Sequence, residues 1–253
     1  MQDINKSINP EVNAIVNVSG GMECFAALWW AKEKKLRPVA LHLYNEQDNP
    51  VWVQAQLFYA KKQCEYFKIP LIVDINTVPQ KKKVPHAVIQ HISACAALIG
   101  GNPDNKWEYI VWGANADDSF QQRLLLRYPI RAILAQKSFT LDLHGIDANT
   151  FIHKMPTNIF PFETLSKSEI IAMLAKNHWE FVKDNTWSCA RPDLHGGEIK
   201  IVKDDKGEIV KYVRCGKCTK CVEYDYNRQV ANKSVFKLQE GVFPAHKPYQ
   251  REL

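Results

Sequence analysis

Four cysteines crowd into one stretch of the chain, Cys189 and then Cys215-Gly216-Lys217-Cys218-Thr219-Lys220-Cys221. Two-residue gaps let successive thiolates converge on one ion, and Gly216 relaxes the turn between them. Four sulfurs satisfy the tetrahedral preference of Zn²⁺ and leave no coordination position open, so a zinc ion held here is structural. Lys217 and Lys220 offset part of the charge of such a site. Four thiolates also suit an iron–sulfur cluster, which this spacing alone does not exclude. Seven cysteines is an odd number, and the polar start MQDINKSINPEVN carries no secretory h-region. A disulfide scaffold is therefore the poorer account of the cluster than a metal site.

A second group lies near the N-terminus, in Val18-Ser19-Gly20-Gly21-Met22-Glu23-Cys24. Two glycines let a backbone approach an oxyanion closely, and a helix that follows presents unpaired N–H groups and a positive dipole. A phosphate fits that description, although a plain strand-to-helix turn would use the same dipeptide. Neither G-x-x-x-x-G-K-[S/T] nor G-x-G-x-x-G occurs, which disfavours a P-loop kinase or a dinucleotide dehydrogenase. Further along, Gly113-Ala114-Asn115-Ala116-Asp117-Asp118 puts acids and an amide where a strand ends, and Lys167 opens a helix against the dipole preference. Either is weak alone; each gains weight beside a phosphate loop.

The elements around these residues follow from hydrophobic patterning. Strands are expected at 14–18, 38–43, 70–75 and 109–112, and helices at 22–35, 51–67 and 87–99. Such alternation implies a doubly wound parallel α/β sheet, which binds ligands at the carboxyl ends of its strands. Beyond it, 121–143 reads as interrupted helix, and Ser166 with Glu169 has capping-box spacing for a helix to about residue 177. Residues 198–202 and 208–213 alternate around Asp204-Asp205-Lys206-Gly207, a hairpin set inside the cysteine cluster, and 219–233 reads as a last helix. Two parts are expected: an α/β domain over 1–180 and a metal-binding module with a C-terminal helix over 181–253. Cys64 and Cys95 fit core positions. The chain has 253 residues, 46% hydrophobic and 24% charged, which excludes wholesale disorder. No apolar run is long enough to span a membrane, and a cytoplasmic protein is expected. A net charge of +6 suits an anionic ligand and is too dispersed to imply nucleic acid.

Taken together the motifs resemble the 7-cyano-7-deazaguanine synthase family of N-type ATP pyrophosphatases, with an adenine nucleotide alpha hydrolase-like, Rossmann-like fold. The family's S-G-G-x-D-S is similar to Ser19-Gly20-Gly21-Met22-Glu23-Cys24, and its V-P-x-R-N to Val84-Pro85-His86-Ala87-Val88. Its G-v-N-a-x-D resembles 113–118, and its P-L-x-x-l-x-K-x-E-I resembles 161–170. T-W-S-C stands intact as Thr186-Trp187-Ser188-Cys189, followed by C-G-x-C-x-x-C as Cys215 to Cys221. The resemblance covers residues 12–228, and the last two motifs are the specific ones. It implies an ATP-dependent C–N ligase of queuosine-type 7-deazaguanine biosynthesis. Such a ligase adenylates 7-carboxy-7-deazaguanine, lets ammonia form the amide, and uses a second ATP to dehydrate it to the nitrile. The implied cofactors are ATP and Mg²⁺ with a structural Zn²⁺; the partners are the small deazapurine and ammonia, with a homodimer allowed and neither membrane nor nucleic acid expected. ATP falls to residues 18–24, from Val18 through Ser19, Gly20, Gly21, Met22 and Glu23 to Cys24; catalytic roles fall to Glu23, Asp117 and Lys167; and Trp187 suits either stacking on a purine-like ring or the core. Glu23 and Cys24 replace the family's Asp and Ser, and Ala87-Val88 its Arg-Asn. These departures suit a diverged member that stops at the amide or takes another acyl group; a tRNA-modifying ATP pyrophosphatase and a non-catalytic zinc-stabilised binding subunit are the alternatives.

Overall fold

The computed structural model describes residues 14–45, 50–76, 108–118, 156–189 and 192–239. The expected helices at 87–99 and 121–143 lie outside them, as do Val84 to Val88 and Cys95.

Strand β1 (Ala14–Asn17) is buried along its whole length. It pairs in parallel with β2 (Pro38–Asn45) on one side and β4 (Tyr109–Val111) on the other. Strand β3 (Leu71–Asn76) extends the sheet beyond β2, and β5 (Thr157–Ile159) extends it beyond β4, both in parallel. The order β3-β2-β1-β4-β5 reverses direction between β1 and β4. That reversal opens a crevice at the carboxyl ends of these two strands, where doubly wound sheets take their ligands.

Helix α1 (Met22–Glu33) follows β1 directly, and Phe25, Ala26, Ala27, Leu28 and Ala31 are buried. Three alanines among them let the helix lie close on the sheet. Helix α2 (Val51–Phe67) ends where Lys68 takes a left-handed conformation and donates its N–H to the Cys64 and Glu65 carbonyls; Ile69 N–H also bonds to Cys64 O, and Pro70 prevents continuation. Helix α3 (Lys167–Ala175) starts with the expected capping box, Ser166 Oγ accepting from Glu169 N and Glu169 Oε2 from Ser166 N. The short α4 (Trp179–Val182) packs Phe181 on Tyr66 at 4.2 Å and on Phe25 at 5.5 Å, closing an aromatic cluster between α1 and α2.

Past a 3₁₀ turn (Pro192–His195), β6 (Lys200–Lys203) and β7 (Ile209–Val213) form the expected antiparallel hairpin. It docks on α2 through Tyr59, whose hydroxyl donates to Tyr212 O at 2.7 Å and accepts from Tyr212 N–H at 3.3 Å. Tyr59 also stacks on Trp187, with centroids 5.6 Å apart and planes 11° from parallel. Helix α5 (Thr219–Gln239) runs six residues past its expected end, because no breaker intervenes before Gly241. The sheet, its helices and a C-terminal four-cysteine cluster are the α/β architecture expected from the sequence. Strand β5 and helix α4 carry no expectation from sequence: three residues of Thr-Asn-Ile and four of Trp-Glu-Phe-Val are too short to show a period.

Candidate functional site

The loop leaving β1 is seated tightly on α2. Gly20 has φ +74°, and a Cβ there would stand 2.5 Å from Gln56 O on α2. Only glycine lets the chain turn this close to the helix. The loop's carbonyls are held from behind: Gly20 O accepts from Trp187 N–H at 2.7 Å and from Gln63 Nε2 at 2.8 Å, and the same amide nitrogen reaches Gly21 O and Asn185 O. Gly21 is the N-cap of α1 and supplies no side-chain cap, so the first-turn N–H groups start uncapped beside the crevice.

Ahead of this loop lies a cavity of ≈ 330 Å³, within the range of small-molecule sites. Val18, Ser19, Gly21, Met22, Glu23 and Cys24 line it, so the loop positions expected to bind ATP gather on one wall except Gly20, which turns behind. Gly113 brings β4 against α1: a Cβ there would meet the Glu23 backbone at 2.9 Å. Of the neighbouring acids, Asp118 lines the cavity and Asp117 does not. Asp117 Oδ2 instead accepts from Lys167 N–H at 2.7 Å and so fixes the start of α3. Burial, aided by Glu23, lifts the Asp118 carboxyl above its ordinary range, although the Asn115 N–H and two lysines pull the other way.

Lys167 reaches into the same space. Its Nζ is 2.7 Å from Glu223 Oε1 and 3.4 Å from Glu23 Oε1. Burial alone would lower its proton affinity, but the Glu23 and Glu223 carboxylates outweigh burial and raise it, so Lys167 is an ammonium. Glu223 shows the mirror case: burial would raise its pKa, and Lys167 with Lys220 brings it below the ordinary range. Glu223, Lys220, Tyr224 and Asn227 all line the cavity from α5. Their signal in the sequence is slight, because only the three-dimensional return of α5 brings them to the β1 loop.

Cys24 Sγ accepts from Ser19 N–H at 3.2 Å and lies 3.4 Å from Ser19 Oγ. Burial raises its pKa despite these bonds, so it stands as a thiol. Cys64 is buried too, with burial pushing its thiol up to about 12, in keeping with a core position. Trp187 is 3% exposed. It stacks on Tyr59 in the core and also forms part of the cavity wall.

Cys189, Cys215, Cys218 and Cys221 bring their four sulfurs within 4.8 Å of one another. Separations of 3.5 Å (Cys189–Cys215), 3.8 Å (Cys189–Cys218) and 3.9 Å (Cys215–Cys221) run around the set. Thiolates about 2.3 Å from a shared ion at tetrahedral angles stand about 3.8 Å apart. The cluster thus fits one tetrahedral ion. An iron–sulfur cubane would spread the four thiolates over four irons and hold them further apart. Gly197 presses on this site, where a Cβ would come 2.8 Å from Cys215 Cβ.

No protein-family model matches the chain, and no curated protein matches it. Among solved structures the fold is similar to the U34-tRNA thiolase NcsA from Methanococcus maripaludis, which carries a [4Fe-4S] cluster, at 13% identity and a TM-score of 0.43. The match covers 69% of this chain and 61% of the thiolase, so the chain spans about three fifths of that protein's length. It is also similar to a predicted subunit of tRNA methyltransferase from Methanocaldococcus jannaschii, at 10% identity and a TM-score of 0.35, over 93% of this chain and 94% of that one. At such scores these likenesses carry no weight for the chemistry, which rests on the residues themselves.

Proposed function

We propose that the chain is an ATP-dependent enzyme that activates a carboxylate by adenylation, with 7-carboxy-7-deazaguanine as acyl substrate and ammonia as acceptor. One observation carries this reading: the uncapped start of α1, the Lys167 ammonium and Trp187 meet in one cavity at the β1–β4 switch point. The first-turn amides of α1 and Lys167 suit a triphosphate, whose charge needs donors held in place. In the proposed reaction a carboxylate oxygen attacks the α-phosphorus and pyrophosphate leaves. Ammonia then displaces AMP, which departs with that oxygen, giving the amide. A second ATP activates the amide oxygen in the same way, and loss of AMP and a proton leaves the nitrile.

Glu23 and Asp118 are the carboxylates on this wall that would hold Mg²⁺, which offsets polyphosphate charge when bound. The four-thiol cluster suits Zn²⁺ with a structural role, since all four positions are filled by sulfur. A tRNA-thiolating enzyme that worked through a free thiol in this crevice would draw on Cys24 or Cys189, the cysteines that line the cavity. Burial holds Cys24 protonated, and Cys189 belongs to the four-thiol cluster.

The test incubates metal-replete protein with Mg·ATP, ammonium and 7-carboxy-7-deazaguanine, following AMP, pyrophosphate and product mass. A product carrying the nitrile or the amide supports the proposal and tells the full reaction from the arrested one. ATP consumption that requires tRNA instead of the deazapurine overturns it in favour of RNA modification, and folded protein that consumes no ATP leaves a binding subunit.

A further inference from the structure

Helix α5 brings to the cavity two charged residues, Glu223 and Lys220, to which the motif pattern gives no role toward a phosphate. Glu223 is 4% exposed. Its Oε1 accepts from Lys167 Nζ at 2.7 Å and its Oε2 from Lys220 Nζ at 3.1 Å. One carboxylate thus bridges two ammonium groups that come from different parts of the chain, α3 and the first turn of α5. Both lysines line the cavity, together with Ser19, Gly21 and the start of α1.

An isolated pair of lysines this close would repel, and at a surface each would drift on its flexible stem. Glu223 removes both difficulties, cancelling the repulsion and fixing the stems. An ammonium has three N–H donors, so a bond to Glu223 leaves each lysine able to donate into the cavity. Ser19 and the start of α1 supply further donors to the same space. The lining therefore converges on an oxygen-rich anion.

We propose that Lys220 is a second ammonium ligand for a polyphosphate in this cavity, and that Glu223 is a positioning residue that holds Lys220 and Lys167 as one clamp. The proposal rests on the phosphate reading of the β1–α1 loop and adds to it residues from the metal-binding module. Because Lys220 stands between Cys218 and Cys221, the ion that orders those thiols also orders the clamp.

Electrostatics gives the test a sign. If Glu223 were only a nearby charge, neutralising it would strengthen anion binding; if it positions the lysines, neutralising it weakens binding. Calorimetric titration with magnesium tripolyphosphate, and in parallel with Mg·ATP, is made on wild type, Glu223→Gln and Lys220→Ala, each checked for metal content and circular dichroism. Both variants should bind tripolyphosphate about tenfold more weakly, as expected for loss of a hydrogen bond to a charged group. The Lys220→Ala/Glu223→Gln double variant should be little weaker than either alone. Unchanged or tighter binding by folded Glu223→Gln, or unchanged binding by Lys220→Ala, overturns the clamp. Lys220 is partly exposed, so its variant folds and decides the matter even if Glu223→Gln does not. Wild type that binds tripolyphosphate but not ATP refutes the nucleotide reading and leaves the clamp standing. Wild type that binds neither overturns both.

Discussion

Replacing Gly20 by alanine perturbs the β1–α1 loop at its tightest point, and the structure supplies its own control. Two separate effects are expected. The first is conformational: at φ +74° an L-residue costs about 1–2 kcal/mol relative to glycine. The second is steric: the new Cβ would sit 2.5 Å from Gln56 O, with Ala60 N and Tyr59 Cβ each at 3.1 Å. Two of these are backbone atoms of α2, and Gln63 ties that helix to the same loop. Relief therefore requires the helix or the loop to move, at a further cost of about 1–3 kcal/mol. Gly207, at the hairpin tip, has φ +82°, and a methyl group added there would meet nothing within 4 Å. Gly207→Ala bears only the conformational effect, and the stiffening of the unfolded chain is common to both variants. Urea unfolding of metal-replete protein should give a loss of about 2–5 kcal/mol for Gly20→Ala. Gly207→Ala should lose about 1–2 kcal/mol. Losses that agree within about 0.5 kcal/mol, the usual scatter of surface substitutions, would refute the tight seating of the loop on α2.

Other outcomes follow from particular contacts. Cys215→Ser should abolish binding of about one metal ion per chain and lower stability, read by elemental analysis and thermal melting; full metal content would refute the four-thiolate site. Tyr59→Phe strips a partner from both the N–H and the C=O of Tyr212, so a loss of about 1–3 kcal/mol is expected in urea unfolding. Asp118 has a raised folded pKa, so its contribution to stability is full below the unfolded value of about 3.9 and is lost as pH rises through the folded value. Asp118→Asn keeps an acceptor for Asn115 N–H and should flatten that part of the stability–pH curve; an unaltered curve would place the titration elsewhere.

Much of the framework could be read from local patterns. The β1 strand, the α2 helix, the Ser166–Glu169 box and the hairpin about Gly207 each follow from periodicity, capping or turn chemistry within a few residues. The four cysteines were legible for the same reason, since their chemistry lies in residue type and short spacing. What local patterns do not carry depends on distance along the chain. Three-residue β5 exists because β4 offers it a partner edge. Asp117 and Asp118 look alike in sequence, and only the fold turns one to the α3 backbone and the other to the cavity. Glu223 gave no signal, and Lys220 gave one only as a counter-charge to the thiolates, because nothing near them in sequence is a phosphate loop. Their meaning comes from Lys167, a partner 56 residues away from Glu223.

The cavity wall also has a history within each round of synthesis. Its lining runs from Asn17 to Asn227, about 210 residues, which a ribosome adding roughly 5–20 residues per second covers in roughly 10–40 s. For most of that time the β1 loop is outside the ribosome without the Trp187 N–H that later holds Gly20 O. The nascent chain thus carries the β1 loop before its backing exists, and the four-cysteine segment, synthesised after the sheet strands, completes the cavity wall.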